Sequence, residues 1–278
     1  MAPTAATELS GTESTAVIRE LTSNVTIISV PFRHLGAEVG TRTTIARLPT
    51  TNSLLIYCPA ALDDTIRAVV SSMGGAVKYL ICGNMGHHLF IPNWAKAYPE
   101  ASIIAPEGLR ERRQKQKLED VEFRYVVTEN SSLPEEITQD VAVEYVSGSI
   151  VSEIVLYHKT DRVLLMTDLF MSLPAHEAYQ NVEDRKPTGG LSSIFNSVGW
   201  DDKVHGKVAL TIRYLLLWYV FGSKDRQAFI QSISHMYENW DMKYLVCCHG
   251  DVVEKEGEAK RIYECAFKWQ LKAAKKEK

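Results

Sequence analysis

Three stretches of this 278-residue chain end an apolar run with residues that can bind a cation or carry a proton. His87 and His88 come shortly after "AVKYLICG", Asp168 follows "RVLLMT", and His249 follows "KYLVCC". Imidazole nitrogen and carboxylate oxygen together suit zinc or iron, the histidine giving a borderline-soft donor and the aspartate a negative charge. Singly, each has an ordinary reading as well. A strand-end His also serves as a hydrogen-bond partner of a buried carbonyl, and a strand-end Asp also caps a helix or closes a turn. Their joint placement favours the chemical reading, because a sheet holds the ends of its central strands side by side however far apart they are in sequence.

The elements that must position these residues are legible from periodicity. "NVTIISVPF", "TRTTIARLP" and "NSLLIYCP" mix β-branched and apolar residues between turn signals, so the chain begins with strands. "ALDDTIRAVVSSMGG" carries acids at its start, helical spacing and a glycine pair at its end, which predicts a helix. The continuous apolar run "AVKYLICG" predicts a strand covered on both faces, delivering the two histidines at its carboxyl end. Helices are expected at "PNWAKAYP" and "EGLRERRQKQKLED", with strands at "ASIIAP", "FRYVV", "VAVEYVS", "EIVLYH" and "RVLLMTD". The last two form a hairpin turned at "KTD". "NVEDRKPTGG", residues 181–190, reads as a loop or lid. Two further helices precede the buried strand "MKYLVCC".

Composition narrows the function classes. A net charge of -3 leaves no basic footprint for nucleic acid. The apolar stretch "VALTIRYLLLWYVFG" is broken by Arg213 and too short to span a bilayer, so it reads as a buried helix. The five cysteines have no CxxC spacing, which predicts free thiols in a reducing, cytoplasmic setting. Cys247 and Cys248, adjacent on a strand, point to opposite faces and read as core. We expect a disordered leader over residues 1–20, one domain over 21–272 and a basic tail over 273–278. The expected partner is a small-molecule substrate, with neither nucleic acid nor membrane. A homodimer is one oligomeric form the sequence leaves open.

Four stretches, "VGTRTTIARLPTTNSLLIYCP", "HHLFIPNWAKAYPEASIIAPEGL", "SEIVLYHKTDRVLLMTDLF" and "WDMKYLVCCHGD", occur in an order that resembles the metallo-β-lactamase fold, and in particular a branch of that superfamily classed as a domain of unknown function. The resemblance implies an α+β fold, a four-layer αββα sandwich. It also implies a superfamily motif H-x-H-x-D-H, a further His in a later loop, a bridging Asp and a final His. With His88 as the last motif residue, His87 stands where the motif has Asp, and Gly83 and Met85 stand where its first two histidines belong. The later loop, "VSGSIVSE", has no His. Asp168 matches the bridging Asp and His249 the final His. On this resemblance every private ligand of the first metal site is lost, while each position of the second keeps a residue able to bind metal. His87, His88, Asp168 and His249 are therefore the expected ligands of a single divalent metal, zinc or iron, with manganese a further option.

A metal there implies hydrolysis of a small ester, lactone, thioester or amide, with Asp168 or Asp251 as general base. Four protein ligands weigh against this, since they leave an open position only in a five- or six-coordinate geometry. Iron-dependent oxidation or isomerisation is the second reading, and a non-catalytic binding protein on a decayed hydrolase scaffold is the third. Glu153, His158 and His34 are candidates for an extra ligand or for orienting one from behind; Glu153 is equally a solvated strand-start carboxylate, and Asp251 equally a turn former.

Overall fold

Period-two alternation of apolar side chains builds two sheets that share one dry inner layer. The computed structural model describes residues 15–34, 36–183 and 198–277. The first sheet runs in the order β1 (Val17–Glu20), β2 (Val25–Val30), β5 (Thr41–Leu48), β6 (Ser53–Tyr57), β7 (Val77–Ile81), β8 (Ser102–Pro106) and β9 (Tyr125–Val127). Its first four strands are antiparallel and the rest parallel. The second is β10 (Val141–Val146), β11 (Glu153–His158), β12 (Val163–Met166) and β13 (Tyr244–Cys247), with β13 parallel to β12. A two-stranded ribbon, β3 (Arg33–His34) and β4 (Ala37–Glu38), lies between β2 and β5 in sequence.

Leu55, Tyr57 and Ile81 of the first sheet meet Ile154, Leu156, Leu165 and Val246 of the second in the inner layer. Their neighbours along each strand face outward. Ile56 and Leu80 pack under α1 (Asp64–Met73), α2 (Ile91–Ala97) and α3 (Leu109–Lys115). Val155, Leu164 and Leu245 pack under α5 (Lys207–Tyr219), α6 (Arg226–Asn239), α7 (Glu258–Ala266) and α8 (Lys268–Glu277), while a single-turn α4 (Glu135–Thr138) precedes β10. The result is the expected four-layer αββα sandwich. Asp63 caps α1 by accepting the Ile66 N–H at 2.7 Å, the role its sequence position suggested.

Two expected boundaries differ. β1 lies within residues read as leader, because Val17 is buried and its backbone pairs with Ser29. The lysine-rich end stays helical to Glu277. Residues 1–14 of the leader and 184–190 of the expected lid lie outside the described residues. No helix among the described residues is long and apolar enough to cross a membrane.

Candidate metal centre

β7, β12 and β13 each release their chain at the same edge of the sandwich, and the three loops that follow are tied to one another. Asn84 does most of this tying. Its side chain donates to Thr167 Oγ1 at 2.8 Å and to Asp168 Oδ2 at 2.7 Å, while its own carbonyl oxygen accepts the N–H groups of Gly86 and His87. One fully buried amide thus fixes both the His87 turn and the Asp168 carboxylate. The sequence reading passed over it, although an Asn directly after a strand-end glycine is a signal for an Asx-type turn.

Asp168 is also held from behind. The fully buried Glu153 accepts the N–H groups of Thr167 at 2.6 Å, Asp168 at 2.9 Å and Leu169 at 3.0 Å. Glu153 therefore shapes the loop that carries Asp168, and its oxygens are spent on that backbone. Burial pushes its carboxyl up to about 7, against the pull of those donors.

His249 is oriented by its far nitrogen. Nδ1 donates to the Gly40 carbonyl at 2.6 Å, which leaves Nε2 as the free lone pair, 3.3 Å from Asp168 Oδ1. The turn behind it depends on Gly250 at φ 91°, where a Cβ would run into the Ser172 backbone. Buried Arg42 clamps the same turn by donating to the carbonyls of Cys247 and Gly250. His87 completes the group: its Nε2 lies 3.3 Å from Asp168 Oδ1 and its ring 5.1 Å from that of His249. Burial alone would raise the Asp168 carboxyl, but the two imidazoles beside it hold it well below the ordinary carboxylate range.

One ligand-type atom from each of His87, Asp168 and His249 falls within 4.8 Å of the other two. Two imidazole nitrogens and a carboxylate oxygen, converging with one histidine locked in its tautomer, fit a divalent cation by number, chemistry and spacing.

His88 does not join them. Its Nδ1 accepts from Arg113 Nη1 at 3.0 Å, and the same guanidinium donates to the His88 carbonyl at 2.9 Å. Adjacent histidines in this turn point apart, and a cation beside the second one is already supplied by the protein. Burial first, then the Arg113 charge, depresses the His88 imidazole to about 4. We therefore expect His88 to stay neutral in a proton NMR titration from pH 8 to 5. Because its folded pKa lies below the unfolded value of 6.5, its share of stability is intact above that pH and is lost as pH falls towards 4.

The other candidates are also placed elsewhere. His158 sits at the opposite end of β11 from Glu153, about 17 Å along the strand, and its Nε2 donates to the Arg47 carbonyl at 2.9 Å. His34 is exposed on β3 and is in no ligand group among the described residues. Asp251 accepts the Glu177 N–H at 2.9 Å and pairs with His176 Nδ1 at 2.7 Å, so both its oxygens tie the loop after β13 to residues 176–177 rather than closing a local turn.

Gly83, which the family resemblance sets opposite the first motif histidine, has no room for a side chain. A Cβ on Gly83 would overlap Cys58 Sγ and lie 2.5 Å from Thr167 Cγ2 and 3.0 Å from Tyr57 Cζ, so no side chain fits where the first histidine would begin. Met85 packs instead with the outer core under the first helices.

Fold and site together define a protein of the metallo-β-lactamase fold. The chain superposes on DIM-1 metallo-β-lactamase exposed to ceftazidime with a TM-score of 0.56 and 12% identity, over 93% of this chain and 97% of that one. A metallo-β-lactamase from Pontibacter korlensis gives 0.57 and 10%, over 92% and 98%. FIM-1 from Pseudomonas aeruginosa, in its mono-zinc form, gives 0.55 and 8%, over 93% and 96%. No curated protein matches the chain by sequence. Residues 32–198 match the family described as domain of unknown function DUF4336, and the chain belongs to that family.

Proposed function

We propose that the chain is a mononuclear metal-dependent hydrolase acting on a small ester, lactone, thioester or amide. The observation that carries this reading is the withdrawal of His88. With three protein donors in place of four, a tetrahedral zinc keeps one position open, as catalytic zinc sites do, and the objection raised by the ligand count disappears. A divalent cation held by His87, Asp168 and His249 supplies Lewis acidity toward a carbonyl and toward water. The chain's own residues do the positioning: Gly40 keeps the His249 proton on Nδ1, and Asn84 and Glu153 fix the Asp168 loop. Asp251 is engaged by His176 and the Glu177 N–H, and Asp168 would act as a donor to the cation rather than as the base, since Asn84 holds its Oδ2 and the two imidazoles keep its carboxyl well below the ordinary range.

The same observation favours a second reading. Two histidines and one carboxylate with open positions also form the donor set of non-haem iron enzymes, so oxidation at iron stands beside hydrolysis. The free thiols of all five cysteines agree with a reducing, cytoplasmic setting for either chemistry. Elemental analysis and a substrate panel separate the readings. About one zinc per chain with turnover of thioesters or lactones supports hydrolysis. Iron with dioxygen consumption moves the assignment to oxidation. Neither metal and no turnover leaves a binding protein on a hydrolase scaffold.

A further inference from the structure

His87 belongs to a second donor group among the described residues. One of its nitrogens and the sulfur atoms of Cys58 and Cys248 all lie within 4.8 Å of one another. The two cysteines come from different sheets, Cys58 just past β6 and Cys248 just past β13, and meet in the inner layer. Both are nearly inaccessible, at 2% and 3% exposure. Both are tied to the strands that carry the metal centre: the Cys58 N–H donates to Ile81 at the end of β7, and the Cys248 N–H to Met166 at the end of β12. Cys58 Sγ occupies the space that the missing Gly83 side chain leaves, so the thiol stands where the first histidine site has gone.

Adjacent residues on a strand face opposite ways, and the alternation selects Cys248 for this position. Cys247 faces the outer core, while Cys248 faces inward towards Cys58. Metal bonds of 2.3 Å to sulfur and 2.0–2.1 Å to nitrogen set donor atoms up to about 4 Å apart, so the observed spread closes with movements below about 1 Å. Two thiolates and a neutral imidazole cancel the charge of a divalent cation, which suits a buried position. The His87, Asp168 and His249 set leaves one positive charge and harder donors. Thiolate pairs select soft cations over hard ones.

We propose that Cys58, Cys248 and His87 form a separate sulfur-rich site for a soft, thiophilic cation, next to the hydrolase-type centre and coupled to it through the shared His87. This site stands whether or not the neighbouring centre is hydrolytic. Occupation of either group draws on the same imidazole and weakens the other.

Cadmium is the probe. X-ray absorption on the full chain loaded with one equivalent of Cd2+ under a phosphine reductant should show two sulfur neighbours per cadmium. Cys58→Ser and Cys248→Ser should each remove one sulfur and lower cadmium affinity by about 10-fold or more, at least the loss typical of a missing outer contact. Asp168→Ala should keep both sulfurs. A wild-type spectrum with only nitrogen and oxygen neighbours overturns the proposal, and needs no variant to fold. That result leaves the neighbouring centre standing, because its own test is loss of zinc or iron in Asp168→Ala.

Discussion

His249→Ala is expected to lose its metal while keeping its fold. The side chain removed makes one hydrogen bond to protein backbone, to Gly40, worth about 1 kcal/mol, a small share of the roughly 5–15 kcal/mol that holds a domain of this kind together. Its Nε2 is one of three donors, and the remaining His87 and Asp168 make a two-point site. Loss of an outer contact already costs about 10–100-fold in metal affinity, so loss of a direct donor should cost more than that. Asp168→Ala should behave alike. Isothermal titration of metal-free protein with zinc, beside a thermal melt, checks both halves of the expectation. A variant that unfolds, or one that binds zinc with unchanged affinity, contradicts it.

Glu153→Ala is expected to do the reverse, destabilising the protein first and weakening metal binding as a consequence. Glu153 is fully buried and satisfies three backbone N–H groups. Each donor left unpaired in the interior costs about 1–3 kcal/mol, and with partial relaxation the total should be about 3–5 kcal/mol in urea or guanidinium unfolding. Metal affinity should fall about 10–100-fold, because the loop that aims Asp168 loses its anchor. The carboxyl also sets a pH signature. Its folded pKa, about 7, lies above the unfolded 4.5, so the folded state binds the extra proton between those values. Stability of the metal-free wild type should therefore decline as pH rises from 4.5 to 7, and the alanine variant should lack that component of the slope. A Glu153→Ala protein as stable as wild type would mean that the three N–H bonds are replaced by water.

The strands were legible because each alternates cleanly between an inner and an outer core, and the continuous runs at β7 and β13 announced both their burial and the ligands at their ends. The convergence of His87, Asp168 and His249 followed from that topology. What separates His88 from them was not visible, since Arg113 is 25 residues further on and sits on a separate helix. The role of Glu153 was hidden for a related reason. A carboxylate at a strand start is read as a ligand or as solvated, and only the loop folded over it turns it into a backbone anchor. Asn84 was missed because its partners come from two separate loops. Alternation put Cys247 and Cys248 on opposite faces without saying which one faces inward, and the approach of Cys58 across the sheets depends on a glycine side chain that does not exist. β1 escaped because four residues flanked by a polar leader carry too little pattern to separate from it.

The central claim is a three-donor centre from which the adjacent histidine is excluded. Metal content measured on the purified wild type, His88→Ala and His249→Ala, prepared side by side, tests it most directly. The three-donor centre predicts about one zinc or iron per chain in wild type and in His88→Ala, and essentially none in His249→Ala when Cys58→Ser is added to remove the separate sulfur-rich group. Loss of metal from His88→Ala with the fold intact, or retention in the His249→Ala, Cys58→Ser protein, would contradict it.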